Sequence, residues 1–318
     1  MNIAFFILGL LFLIKGAGYL VDGASSIARR FHVSDLAIGL TVVAFGTSLP
    51  ELSVNILSSI RGNADIAIGN VVGSNIANIL LILGLSALVR PLSVSRGTVF
   101  KEIPLSLLAA LLLGILASDH LIDNAPDSIL SRSDGLTLLC FFLVFLSYSF
   151  SISKRVDNGK DLAPARVHGT RASILRIVGG LCAMILGGSW IVKGAVGIAL
   201  AAGVSQSLVG LTIVAVGTSL PELATSVTAA RMNKPEIAVG NVVGSNIFNI
   251  FFILGVTSLV SPLPFQTQNL EDVGVVILAS FLLFLSLFVG KSHSLGRIKG
   301  ALFLLLYAAY CARLAFRG

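Results

Sequence analysis

The sequence GTSLPE occurs at Gly46–Glu51 and again at Gly217–Glu222, and in both places it begins a longer repeated block. The first copy is GTSLPELSVNILSSIRGNADIAIGNVVGSNIANILLILG, from Gly46 to Gly84, and the second is GTSLPELATSVTAARMNKPEIAVGNVVGSNIFNIFFILG, from Gly217 to Gly255. Corresponding residues lie 171 positions apart, as Glu222 does from Glu51, and the alignment has no gap. Each copy places one carboxylate, several hydroxyl and carboxamide side chains and one proline in very apolar sequence. The chain is therefore built from two related halves.

The composition around these copies is that of a membrane protein. Hydrophobic residues make up 55% of the 318 residues, charged residues only 12%, and the mean hydropathy is +0.96. Soluble proteins have about twice that charged fraction. We predict an all-α polytopic membrane protein, because apolar stretches of about 20 residues can span a bilayer. The ten predicted spans are 2–22, 36–60, 66–89, 98–117, 134–153, 173–201, 207–230, 237–260, 272–290 and 296–315.

The positive charge predicts orientation in the bilayer. The chain has 22 Lys and Arg residues and a net charge of +7. With the N-terminus outside, only Arg61, Arg132, Arg313 and Arg317 fall in outer segments, and Lys15 and Lys193 fall within spans. All the others lie in inner loops, so the positive-inside rule predicts that both termini are outside. The basic residues are thus explained by topology and contact with lipid head groups, and we predict no nucleic-acid partner.

The predicted halves have opposite orientations. Lys15-Gly16-Ala17 in the first span is matched by Lys193-Gly194-Ala195 in the sixth, which extends the repeat to all five spans of each half. Repeats with an odd number of spans insert in opposite directions, and such inverted-topology repeats in transporters hold the substrate near the midplane. We divide the chain into residues 1–153, a short cytoplasmic linker 154–172, and residues 173–318. The linker is too short for a regulatory domain.

The second and seventh spans hold the most informative residues. Pro50 and Pro221 interrupt helix hydrogen bonding, which predicts broken helices with free carbonyls at Gly46 and Gly217. Glu51 and Glu222 follow directly. An ionised carboxylate in mid-bilayer costs roughly 2.5–3.5 kcal/mol, and two equivalent ones predict a function. Thr47 lies four residues before Glu51, and Thr218 before Glu222, so each pair is expected on one helix face. Ser48 and Ser219 add adjacent hydroxyls.

The third and eighth spans supply the remaining polar groups. Each contains a GxxxG motif, at Gly69–Gly73 and Gly240–Gly244, which permits close helix packing. We expect this packing to bring Ser74 and Asn78 toward Glu51, and Ser245 and Asn249 toward Glu222. The other asparagines of these spans are expected to join helices; they are Asn70, Asn75, Asn241 and Asn246.

These side chains predict a site made of oxygen atoms. Carboxylate, hydroxyl, carboxamide and carbonyl oxygens suit Ca²⁺, Na⁺, Mg²⁺ or Mn²⁺. Two carboxylates balance one divalent ion, and flexible multi-oxygen coordination favours calcium over magnesium. Cys140, Cys182 and Cys311 lack metal-ligand spacing and are interpreted as buried packing residues. No prosthetic group, enzyme activity or obligate protein partner is predicted.

The doubled GTSLPE and GNVVGSN blocks resemble the repeats of the Ca²⁺/cation antiporter superfamily, specifically its Na⁺/Ca²⁺ exchanger branch, with bacterial inner-membrane members most similar in size. The resemblance implies ten spans, outer termini and alternating access by sliding of the first and sixth spans. Several members have aspartate where this chain has Asn249. The implied ion-binding positions are Ala44, Thr47, Ser48, Glu51, Ser74 and Asn78, and Ala215, Thr218, Ser219, Glu222, Ser245 and Asn249, with the alanines contributing backbone carbonyls.

The coupling ion is open at this point, with Na⁺ preferred and H⁺ as the alternative. Extruding Ca²⁺ against four decades of concentration at about −100 mV needs roughly 5.5 kcal/mol chemically and roughly 4.6 electrically. One monovalent ion entering down a tenfold gradient supplies about 3.7 kcal/mol. Three such ions suffice, whereas two do not. A passive cation channel is less favoured, since channels usually use symmetric subunits around a pore.

Overall fold

Helices dominate the computed structural model, which describes residues 2–153, 168–201, 217–289 and 293–317. The helices are α1 (Asn2–Arg30), α2 (Asp35–Thr47), α3 (Leu49–Ile60), α4 (Ala64–Val89), α5 (Thr98–Leu116), α6 (Arg132–Ser153), α7 (Thr170–Ala201), α8 (Leu220–Arg231), α9 (Pro235–Val260), α10 (Thr267–Ser286) and α11 (Arg297–Arg317), with one further turn at Asp119–Ile122. The strands are β1 (Leu92–Ser93), β2 (Ser128–Leu130), β3 (Leu263–Phe265) and β4 (Ser294–Leu295).

The helices confirm a polytopic membrane fold. Within the described ranges, eight helices are long and apolar enough to cross a membrane, and the bent pair α2 and α3 counts as a ninth. Residues 207–216 of the predicted span 207–230 lie outside the described residues, and most of the remainder forms α8. The first span was predicted too short, because α1 continues past residue 22 to Arg30 and ends on basic residues that suit its C-terminus.

The central helices of the bundle are α4 and α9. In an apolar stretch of 18 residues in each, 78% and 94% of the residues are buried. The six other single helices long enough to span a membrane have at most 39%. They cross in antiparallel orientation, since Asn75 of α4 contacts Asn249 of α9 while Asn78 contacts Asn246. Both helices contain many small and polar residues, and such residues let helix backbones approach closely within a membrane. The remaining spans present aliphatic and aromatic side chains to the outside.

The helices α1 and α7 form a separate, very close antiparallel pair. A Cβ atom built on Gly16 would lie 2.8 Å from the Gly180 carbonyl oxygen, and one on Gly9 would lie 2.7 Å from that of Gly187. The contacts are reciprocal, because Gly180 and Gly187 meet the carbonyls of Gly16 and Gly9 in the same way. Only glycine permits this approach, and its repetition every seventh residue keeps the glycines on the contact face.

The last span of each half packs against the other half. Gly135 at the start of α6 lies against the Gly255 carbonyl of α9, while Gly300 at the start of α11 lies against the Gly84 carbonyl of α4. Two short antiparallel sheets join the same pairs of helices. Strand β2, before α6, pairs with β3, after α9; strand β4, before α11, pairs with β1, after α4. Because α4 and α9 are antiparallel, the two sheets lie at opposite ends of the bundle.

Candidate cation-binding site

The two glutamates stand just after matching helix breaks. Between α2 and α3, Ser48 has φ −85° and ψ 8°, and Ser219 before α8 has φ −86° and ψ 5°. Pro50 falls in the first turn of α3, where it removes no helical hydrogen bond. The helices α2 and α3 meet at a 45° bend. The prediction of broken helices is therefore correct for α2 and α3, but the break precedes the proline.

The break also corrects the assumption of a shared helix face. Thr47 ends α2 and Glu51 lies in the first turn of α3, so the two do not lie on one continuous helix. Thr47 instead approaches Asn241 of the other half, with 3.1 Å between its Oγ1 and the Asn241 Oδ1. Thr218 is related in the same way to Asn70, at 3.2 Å. The bend places each glutamate at a helix N-terminus, where the helix dipole stabilises negative charge.

Each carboxylate contacts hydroxyl groups of the opposite half. Ser48 Oγ donates to Glu222 Oε1 at 2.9 Å and lies 3.1 Å from Ser245 Oγ. Ser219 Oγ lies 3.2 Å from Glu51 Oε1 and 3.0 Å from Ser74 Oγ. Both glutamates are only 1% exposed. Two acids buried inside one apolar bundle repel each other unless cations or protons offset their charge.

Four buried oxygen atoms on the side chains of predicted ligands have no hydrogen-bond partner among the described residues. They are Glu51 Oε2, Glu222 Oε2, Asn78 Oδ1 and Asn249 Oδ1. A buried oxygen without a partner is destabilising unless something else satisfies it. All four are acceptors of the kind that hard cations prefer. The chemistry of the region therefore suits a cation rather than an anion.

Widened helical turns set the positions of the two asparagines. A π-helical segment spans Ala77–Ile82 in α4 and includes Asn78; another spans Phe248–Leu254 in α9 and includes Asn249. Such turns are rare and occur frequently at functional sites. The sequence contained no recognisable signal for them, because they depend on packing between neighbouring helices.

The GxxxG motif of α9 permits close helix packing, as predicted, and its partner helix is α2. A Cβ on Gly244 would lie 2.6 Å from the Leu40 carbonyl, so this motif packs α9 against α2 and brings Ser245 to Ser48. Ser245 also lies near the Glu222 carboxylate. In α4, a Cβ built on the corresponding Gly69 or Gly73 would meet no atom of a neighbouring element within 4 Å among the described residues. The segment corresponding to α2 in the second half lies outside the described residues.

The structure describes eleven of the twelve positions named from the sequence. Ala215 lies outside the described residues, and the Ala44 carbonyl accepts bonds from the Ser48 amide and the Thr47 hydroxyl. Each of the other ten positions makes a side-chain contact with a residue of the opposite half. Ser74 lies 3.4 Å from Glu51, as expected.

Sequence reasoning missed the polar residues Asn55 and Ser226 behind the glutamates, whereas Asn241 joins two helices as predicted. Asn55 donates to the Glu51 carbonyl at 2.9 Å, and Asn241 donates to the Glu222 carbonyl at 3.3 Å and to Ser226 at 3.0 Å. A signal existed, since Asn55 lies four residues after Glu51, as Ser226 does after Glu222. The interpretation of the cysteines as buried residues is wrong, because Cys140, Cys182 and Cys311 are exposed. A thiol is apolar enough to face lipid as readily as a packed interior.

Comparison with known proteins relates the chain to cation exchangers over nearly its whole length. The sequence profile described as "Sodium/calcium exchanger protein" matches residues 1–151 and 172–316. The sodium/calcium exchanger MaX1 of Methanosarcina acetivorans is 33% identical over 97% of both chains. The inner membrane protein YrbG of Escherichia coli is 39% identical over 81% of this chain and 80% of its own length. A solved structure of the sodium-calcium exchanger NCX_Mj superposes with a TM-score of 0.84, at 36% identity over 98% of both chains.

Proposed function

Since the chain belongs to the sodium/calcium exchanger protein family, we propose that it is a secondary active antiporter that exchanges Ca²⁺ for Na⁺ by alternating access. The observation that carries the proposal is that each glutamate contacts a serine of the other half, Glu222 with Ser48 and Glu51 with Ser219, while one buried oxygen of each has no partner among the described residues. Two negative charges compensate one Ca²⁺ or two Na⁺. The same oxygens can therefore be used by either ion in turn, as antiport requires.

The proposed ligands come equally from both halves. Glu51 and Glu222 supply charge, Asn78 and Asn249 supply amide oxygens, and hydroxyl and backbone oxygens complete the coordination. The support is that eleven of the twelve positions lie within the described residues and that contacts such as Ser48–Glu222 and Ser219–Glu51 join the two halves. The remaining proposed ligands are Thr47, Ser48, Ser74, Thr218, Ser219, Ser245 and the backbone carbonyls of Ala44 and Ala215.

The proposed architecture has ten spans in two inverted halves, residues 1–153 and 173–318, joined by the linker 154–172. Support comes from paired relationships that reverse direction between the halves. The helices α1 and α7 are antiparallel, as are α4 and α9, and the two sheets repeat one strand exchange at opposite ends. We further propose a bacterial inner membrane with both termini outside, on the charge distribution and the similarity to YrbG.

The stoichiometry follows from energetics. With four decades of Ca²⁺ gradient at about −100 mV, extrusion of one Ca²⁺ needs about three Na⁺ entering down a tenfold gradient. Such exchange moves one net positive charge per cycle. The similar solved structures include NCX_Mj soaked with Na⁺ and Sr²⁺ and NCX_Mj soaked with Na⁺ and Ca²⁺. The proposed cycle requires this chain to bind Na⁺ and a divalent cation in turn.

Reconstitution into liposomes tests the function. Purified protein is placed in vesicles loaded with Na⁺, and uptake of radioactive Ca²⁺ is followed after dilution into Na⁺-free buffer. We expect uptake that needs the Na⁺ gradient and accelerates when valinomycin and K⁺ dissipate the opposing charge. Uptake driven by a pH gradient without Na⁺ would replace the proposal with Ca²⁺/H⁺ antiport. Uptake that needs neither gradient would indicate a passive channel.

A further inference from the structure

Four asparagines form a closed cross-half cluster between α4 and α9. Asn78 Nδ2 donates to Asn246 Oδ1 at 2.9 Å, and Asn249 Nδ2 donates to Asn75 Oδ1 at 3.0 Å. The other two amide nitrogens donate to backbone, Asn75 Nδ2 to the Asn246 carbonyl at 3.4 Å and Asn246 Nδ2 to the Asn75 carbonyl at 3.5 Å. All four residues are at most 2% exposed.

The backbone contacts determine which way each amide faces. A carbonyl oxygen accepts but cannot donate, so only the Nδ2 of Asn246 can face the Asn75 carbonyl, and the reverse holds for Asn75. Their Oδ1 atoms must then face Asn78 and Asn249. An acceptor placed there attracts the Nδ2 of each partner, so the Oδ1 of Asn78 and of Asn249 is directed away from the cluster.

The two oxygens directed away from the cluster belong to the two asparagines proposed as ligands. Asn78 Oδ1 and Asn249 Oδ1 are buried and have no hydrogen-bond partner among the described residues. An amide that turns over would present its NH₂ group, which repels a cation. A carboxylate at the same position presents an oxygen whichever way the side chain is rotated. An amide ligand in a buried site therefore needs a partner that fixes its orientation.

We propose that Asn75 and Asn246 are positioning residues for cation binding, each holding an amide nitrogen of the opposite half so that the oxygen of Asn249 or Asn78 faces the ion. The inference rests on the proposed function for the identity of the ion. Asn75 and Asn246 do not contact the cation themselves. Since each acts across the interface, one half orients a ligand of the other.

A double-mutant cycle separates positioning from packing. Asn246→Leu removes the acceptor at similar volume, and Asn78→Asp presents an oxygen in either orientation. We measure the Ca²⁺ concentration for half-maximal Na⁺-driven uptake and the maximal rate in liposomes. Asn246→Leu is expected to raise the half-maximal concentration on the order of tenfold. In the Asn78→Asp background, the same change is expected to raise it at most about twofold, because the oxygen no longer depends on Asn246.

Equal factors in both backgrounds would overturn the inference and leave Asn246 as a packing residue. Thr257→Val is the matched control, since its buried hydroxyl bonds only to the Ile253 carbonyl of its own helix in the described structure; it should leave the half-maximal concentration within about twofold. If Asn246→Leu is not recovered as a monodisperse protein, Asn75→Leu against Asn249→Asp gives the equivalent cycle.

A second readout keeps this inference distinct from the proposed function. The Ca²⁺-dependent increase in unfolding temperature of detergent-solubilised protein reports binding without transport. Wild-type protein that binds Ca²⁺ but shows no Na⁺-driven uptake contradicts the antiport proposal, and the cycle is then measured on the thermal shift. The positioning inference fails if Asn246→Leu reduces the Ca²⁺-dependent stabilisation equally in the wild-type protein and in the Asn78→Asp variant.

Discussion

Ser48 of the first half donates a hydrogen bond to Glu222 of the second at 2.9 Å, and the matching contact between Ser219 and Glu51 is 3.2 Å. Each acid is therefore held by the half to which it does not belong. Neither half contains a complete set of contacts around its own glutamate. Relative movement of the halves would change the surroundings of both carboxylates at once, which suits a protein that must bind and release ions on alternate sides.

Neutralising either glutamate should abolish exchange. Glu51→Gln and Glu222→Gln keep the side-chain shape and remove one of two ligand charges, and ligand charge strongly sets affinity for Ca²⁺. We expect Na⁺-driven Ca²⁺ uptake to fall on the order of 100-fold or more, with unchanged membrane insertion. Glu271→Gln is the matched control, since Glu271 is exposed and pairs with Arg313 at the surface. Wild-type uptake in either site variant would remove that residue from the proposed site.

Removing the paired hydroxyls should weaken binding of the coupling ion. Ser74 contacts Glu51 and Ser219, and Ser245 contacts Ser48, so alanine at either position removes an oxygen beside a carboxylate. A loss of about 1 kcal/mol per hydroxyl corresponds to about a fivefold change. The measurement is the Na⁺ concentration for half-maximal Ca²⁺ release from loaded vesicles. The exposed Ser53 provides the control alanine variant; an equal effect there would contradict the prediction.

Added volume between α1 and α7 should destabilise the protein at one glycine and not at its neighbour on the outer face. A Cβ built on Gly16 would lie 2.8 Å from the Gly180 carbonyl oxygen. A Cβ built on Gly18 would meet no neighbouring atom within 4 Å among the described residues. We expect Gly16→Ala to lower stability by about 1–3 kcal/mol through overpacking. Gly18→Ala should leave it unchanged or raise it by up to about 1 kcal/mol through helix propensity. Thermal unfolding in detergent measures both, and equal effects would show that the close contact does not limit packing.

Calcium should stabilise the folded protein through the same acids. A ligand at about 100 times its dissociation constant adds about 2.7 kcal/mol to the free energy of unfolding if it binds only the native state. We expect Ca²⁺ to raise the unfolding temperature of the wild type but not of the double variant Glu51→Gln with Glu222→Gln. Excess Na⁺ should reduce the calcium effect by competition. A calcium effect that survives in the double variant would indicate binding elsewhere.

Much of the fold was predictable because its signals are local. Nine apolar spans were correctly located in the described residues, since hydrophobic length alone marks a segment that crosses a bilayer. The break near Pro50 was also predictable, although the structure moves it to Ser48. The candidate site residues could be named because acids and amides are rare within apolar spans, where burying them in the membrane costs free energy. Their roles as ligands remain proposals that the experiments above address.

The partners of those residues were not predictable. Thr47 was expected beside Glu51 and instead contacts Asn241 of the other half. The GxxxG motif of α9 was expected to bring Ser245 toward Glu222, and it does so by packing on α2. The π-helical turns that carry Asn78 and Asn249 had no local signal. The Thr47 contact and the packing of α9 on α2 each join residues more than 100 positions apart in the chain.

A duplicated helical membrane protein with one acid in each copy can be recognised from the residues alone, because span length, charge placement and repetition are properties of contiguous residues. The contacts between the copies exist only in the folded chain, where Ser48 contacts Glu222, Ser219 contacts Glu51, and Asn75 and Asn246 contact the asparagines of the opposite copy. The physical reason is that buried polar groups must find partners wherever packing offers them. In this protein, packing offers them across the interface between the halves.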